Sequence, residues 1–244
     1  MPHKGRLLFV VVLASAGLAA AGAATARELA VVSHFQCYRI KPSSPWKPVS
    51  LTVSTQFGKL DGTVLQLQAL CAPASKNGSV ITNKIAHLAC YPLKVTTAFT
   101  PKTVLITNQF EKGTAMTVVA PTVLCVPTGK SVASTAGPPL PKGLDNYQCY
   151  SVKLQKQVPT RPITVIDQFG QAGGSTLQPV ALCAPAGING SPLLNATTHL
   201  LCYAVKLGPN VKPTTVSIRN RFGVASGVVF QRLSLCLPSV KKLG

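Results

Sequence analysis

The side chains in this sequence that could do chemistry recur at fixed spacing. Histidine stands three residues before a cysteine at His34/Cys37, His87/Cys90 and His199/Cys202, and Asn146 holds that place before Cys149. A His-x-x-Cys pair invites a metal ion. Residues three apart on a strand point to opposite faces, however, so one ion cannot easily hold both, and the pattern is expected to be structural. Each of these cysteines is followed by tyrosine and, four positions on, by lysine: Tyr38/Lys41, Tyr91/Lys94, Tyr150/Lys153 and Tyr203/Lys206. On a strand the tyrosine lies opposite the cysteine and the lysine on its side. These eight residues could form a ligand-binding stripe; the plainer alternative is a packed ring with its hydroxyl at the edge, and a charge at a strand end. The acids are Glu28, Asp61, Glu111, Asp145 and Asp167. General acid–base work needs two suitably placed carboxylates, and these neither recur nor flank one another. Nothing points to a Ser-His-Asp arrangement through Asp61 or Asp167. No nucleophile elbow, phosphate loop, dinucleotide fingerprint or zinc-protease motif occurs, so no catalytic residue, metal or cofactor is assigned.

Stepping out from the cysteines, the same frame carries a repeat. Nineteen residues after each first cysteine comes Gln56, Gln109, Gln168 or Arg221, followed by Phe57, Phe110, Phe169 or Phe222. Each unit closes with Leu-Cys-x-Pro, at Leu70–Pro73, Leu124–Pro127, Leu182–Pro185 and Leu235–Pro238. Cys37 and Cys149, Cys71 and Cys183, and Cys90 and Cys202 are all 112 positions apart, so a unit of about fifty residues is doubled and the doublet doubled again. Asn77-Gly78-Ser79 recurs as Asn189-Gly190-Ser191.

Within each unit, positions fourteen and sixteen after the first cysteine are apolar: Leu51/Val53, Val104/Ile106, Ile163/Val165 and Val216/Ile218. Ser and Thr alternate with them, which marks a strand with one buried face. The recurring phenylalanine shares that parity and is expected in the core. A glycine-rich stretch and an apolar run into Leu-Cys-x-Pro then suggest a hairpin, with the proline ending its strand. The expected fold is all-β: two tandem disulfide-stapled antiparallel domains, each a sandwich or small barrel with pseudo-twofold symmetry. Domain one spans 34–127 and domain two 144–238. A Gly/Pro/Ser/Thr linker, 128–143, joins them, with a short segment 27–33 before and a basic tail 239–244 after.

Lys4, Arg6 and the apolar run Leu7–Ala24, ending in Ala24-Thr25-Ala26, read as a signal peptide over 1–26. No other segment is apolar for long enough to span a membrane. Export to an oxidising compartment leaves the cysteines as four disulfides. Pairing within units (Cys37–Cys71, Cys90–Cys125) and crossed pairing (Cys37–Cys125, Cys71–Cys90) both satisfy the symmetry. The first is favoured because a duplicated unit must once have been stable alone or as a homodimer. Cys149, Cys183, Cys202 and Cys236 follow the same logic. The formal charge is +19, and +17 once Lys4 and Arg6 leave with the signal, which favours polyanionic partners.

The unit His-x-x-Cys-Tyr-x-[Ile/Leu/Val]-Lys … Gln-Phe-Gly … Leu-Cys-x-Pro resembles a domain of unknown function found in uncharacterised exported bacterial proteins. The resemblance covers His34 to Pro238 and departs at Asn146, Glu111 and Arg221. It implies bacterial export and contributes no site. The expected function is a secreted, periplasmic or envelope-associated structural or binding module, engaging an anionic surface polysaccharide or other polyanion. The alternative is a secreted hydrolase or inhibitor acting through loops around Asn77 and Asn189.

Overall fold

The computed structural model describes Met1, residues 32–132 and residues 138–244. Residues 2–31, which hold the signal segment after Met1 and most of the short segment 27–33, and the middle of the linker, 133–137, lie outside the described residues. The rest is all-β, with thirteen strands: β1 (His34–Pro42), β2 (Val49–Thr55), β3 (Gly58–Val64), β4 (Ala69–Lys76), β5 (His87–Val95), β6 (Lys102–Thr107), β7 (Lys112–Ser131), β8 (Asn146–Leu154), β9 (Pro162–Asp167), β10 (Gly170–Ile188), β11 (His199–Gly208), β12 (Thr214–Asn220) and β13 (Gly223–Leu243). β-Branched alternation forms β2, β6, β9 and β12 as expected, and their marked positions are all buried.

The first strand of each unit pairs antiparallel with the last, and each disulfide joins directly opposed residues: Cys37–Cys71, Cys90–Cys125, Cys149–Cys183 and Cys202–Cys236. Pairing is therefore within units. Consecutive units then pair edge to edge, β4 with β5, β7 with β8 and β10 with β11, and β13 returns to β1. Eight strands close one barrel.

This replaces the expected division into two domains. Either half alone would end on two open ladders, β1 on one side and β7 on the other, and closure removes those edges. Two boundaries move with it. The linker's first residues continue β7 to Ser131, and the expected tail is strand, Val240–Leu243 pairing with β6. The proline of Leu-Cys-x-Pro does not stop its strand either. Pro73, Pro127, Pro185 and Pro238 face Phe35, Leu88, Tyr147 and Leu200 across the disulfide-bonded pair. Two residues from a close, non-hydrogen-bonded cysteine pair, the missing N–H points away from that partner, toward a side where the next unit's strand has ended.

The remaining strands form hairpins that wrap the outside of the barrel and reach the unit two places on. β2 pairs with the end of β10, β9 with the end of β4, β6 with β13 and β12 with β7. Between barrel and hairpins lies the main core, with Leu70, Leu124, Leu182 and Leu235 fully buried. A second apolar cluster lines the inside of the barrel.

Candidate functional site

The inside of the barrel is built in layers. At its floor, two residues before each first cysteine, Phe35, Leu88, Tyr147 and Leu200 are at most 2% exposed. Above them the eight cysteines face inward. Each sulfur also touches one in the neighbouring disulfide, at 3.7 Å for Cys37/Cys236 and 3.8 Å for Cys71/Cys90, Cys125/Cys149 and Cys183/Cys202. These are non-bonded contacts, and with the four covalent bonds they close a ring of sulfur. Ala69, Val123, Ala181 and Ser234 follow toward the mouth, around a cavity of about 200 Å³.

At the mouth stand Lys41, Lys94, Lys153 and Lys206, on the cysteine's side of each first strand and all exposed. Small residues set them there. An added Cβ at Gly62, Gly174 or Gly227 would lie 2.8, 2.0 or 2.7 Å from the carbonyl oxygen of Lys94, Lys206 or Lys41. Only glycine lets the strands approach so closely at the collar. Leu65, Val119, Leu177 and Phe230, six residues before each second cysteine, are 37–38% exposed at the level of the mouth. Next to Phe230, a cleft of about 420 Å³ lined by Arg39, Lys41, Gln66 and Gln68 meets the lumen at Gln68. The apolar set escaped sequence reasoning, which counted forward from the first cysteine; counting back from the second exposes it.

The tyrosines are not brought to the lysines. Tyr38, Tyr91, Tyr150 and Tyr203 lie on the outer face, at most 1% exposed, each against the phenylalanine of the unit two places on: Phe169, Phe222, Phe57 and Phe110, with centroids 4.8–5.6 Å apart. Their hydroxyls bond Asp167, Asn220, Thr55 and Asn108. The same four side chains accept the N–H of the phenylalanine two residues on. Burial, and the Asp167 carboxylate at Tyr38, push these phenols up, to about 12 for Tyr91 and Tyr150. They are hairpin fasteners.

The histidines lie outside the barrel wall, opposite the cysteines. His34 meets Ser79 and Gln109, and His87 meets the Ile85 carbonyl and Gln168; His199 meets the Thr197 carbonyl. Burial, with Lys76, Lys130 and Lys241 nearby, lowers each to about 4. Those three lysines lie over the rings of Phe110, Phe169 and Phe57 at 4.8–5.0 Å. Where histidine gives way to Asn146, the lysine position holds Ile188, and Arg221 of the next unit lies over Phe222 instead, at 6.0 Å. Arg221, one of the departures from the repeat, thus supplies the cation over a ring that lysine supplies in the other units. Glu111, another departure, is buried and accepts from Thr114 and Tyr203.

Among the described residues Glu111 and Asp145 are buried and Asp167 is half-buried. Asp145 accepts the N–H groups of Leu194 and Asn195, and Asp167 is raised by burial. Among the described residues only Asp61 is an exposed acidic side chain, bonded to Thr52. Asp61 and Asp167 sit on different hairpins, and their hydrogen bonds go to Thr52, Thr97, Tyr38 and Phe169, not to a serine or histidine. Asn77 and Asn189, both with φ 50°, clamp the backbone of Thr164 and Thr52 in the opposite unit. Among the described residues no three His, Cys, Asp or Glu side chains gather to hold a metal.

Compared with family models, curated proteins and solved structures, the chain matches none. Four disulfides suit an oxidising, extracellular or envelope environment.

Proposed function

We propose that the chain is an exported, non-catalytic binding module that holds an anionic polymer of the cell surface, a polysaccharide or related polyanion, at the lysine-collared mouth. One observation carries the reading: four exposed lysines stand at equivalent positions at the one mouth of the barrel, while among the described residues the acids are buried or half-buried or, as Asp61, tied to a neighbour. Positive charge therefore meets solvent almost undiluted, and several weak contacts with a repeating anion act together on one rim. The signal segment and the disulfides support export, and the periplasm or outer envelope would supply both oxidant and polymer.

The test is titration with a sulfated or uronic polysaccharide across a salt series. For the native chain, affinity falls linearly on a log–log plot. In the fourfold variant K41Q/K94Q/K153Q/K206Q the slope becomes shallower by about three to four, at roughly 0.7–0.9 counterions per lost contact. An unchanged slope in that variant contradicts the mouth as the site.

A further inference from the structure

A polymer on the collar leaves the lumen behind it without a role, and the lumen's lining is of a different kind. Its polar side chains are Gln68 and Ser234 toward the mouth and Tyr147 at the floor; the rest is sulfur and hydrocarbon. An apolar cavity of ~150 Å³ stays dry and takes a benzene-sized guest, so one of about 200 Å³ is large enough for a hydrocarbon ligand. The sulfur ring sets the shape of that ligand. With each disulfide in contact with the next at 3.7–3.8 Å, the waist is about one carbon atom wide, ~4 Å. A methylene chain passes such a waist, and a ring or branched group does not. Soft, polarisable sulfur favours that contact all the way round.

The two ends define the rest. Six residues of strand separate floor from collar, ~16 Å along the axis once tilt is allowed for, which suits a chain of about ten carbons. The floor side chains are at most 2% exposed, while toward the mouth Val180 is 47% exposed and Leu65, Val119, Leu177 and Phe230 are 37–38% exposed. Above them stand the lysines. We propose that the lumen binds the unbranched hydrocarbon chain of an anionic amphiphile such as a fatty carboxylate, with its head group at Lys41, Lys94, Lys153 and Lys206. This shares the collar with the polymer reading but does not rest on it, since the lumen alone holds the chain.

Calorimetric titration of the disulfide-intact protein with decanoate, below its micelle concentration, tests this. One decanoate binds per chain; decylammonium binds at least about tenfold more weakly, and adamantane carboxylate does not enter. Ala181→Phe fills the lumen and abolishes decanoate binding while leaving polysaccharide binding intact. Should that variant fail to fold, nuclear Overhauser contacts between decanoate methylenes and half-cystine Cβ protons in the native protein decide the matter. No decanoate binding, equal binding of decylammonium, or binding without those contacts overturns the proposal. Loss of polysaccharide binding alone would overturn only the polymer reading.

Discussion

His199 is buried with its Nε2 unpartnered and its Nδ1 on the Thr197 carbonyl, so the folded chain holds it neutral. With pKa values of about 4 folded and 6.5 unfolded, the unfolded state binds the proton first on acidification. Its share of stability is whole above pH 6.5, is lost as pH falls, and levels off below about 4. At full protonation the loss is about 3 kcal/mol. His34 and His87 act in the same direction. Denaturation midpoints should therefore drop from pH 7 to 4.5, and His199→Asn should flatten that dependence by one histidine's share. An unaltered pH profile in the variant contradicts this. Sequence reasoning found these histidines and placed them on the face opposite the cysteines, because strand parity is local. It could not foresee that Asn146 bonds the Ala186 carbonyl while Arg221 lies over Phe222, because both depend on packing.

At the scale of elements, each hairpin adds to its ladder and ring contacts with the barrel one polar fastener. Asn220 of the β12–β13 hairpin donates to the Tyr91 hydroxyl at 2.7 Å and accepts the Phe222 N–H at 2.9 Å. Asn220→Ala strands a buried phenol and a turn N–H at once and should cost about 1–3 kcal/mol. Native-state hydrogen exchange should show faster opening in β12 and the start of β13, with the disulfide-bearing strands unchanged. Uniform loss of protection across the barrel would mean that the hairpins fold with it as one unit. The strands themselves were legible from alternation, glycine and cysteine spacing. Their partners were not, because the ladders β4–β5, β7–β8, β10–β11 and β13–β1 join units through no turn signal. The proline rule failed for a related reason: whether a missing N–H matters depends on which neighbour it faces.

At the scale of the whole molecule, fourfold repetition closes a ring, and that closure makes the mouth. Two separate domains would have offered two small lysine pairs. One barrel gathers four lysines around one opening, above one lumen, with a sulfur belt between. The doubling of the doublet, read from the 112-residue spacing, suggested tandem domains because repetition in sequence does not say whether copies stack, separate or close. The most direct test exploits the disulfides, all of which lie within units, so none joins the two halves. A protease site placed within residues 133–137 and cleaved in the folded protein leaves only non-covalent ladders between them. On size-exclusion chromatography in native buffer, a single barrel keeps the halves together at the mass of the intact chain, and they part only in denaturant. Halves that elute separately as folded monomers in native buffer would contradict the closed barrel, and with it the shared mouth.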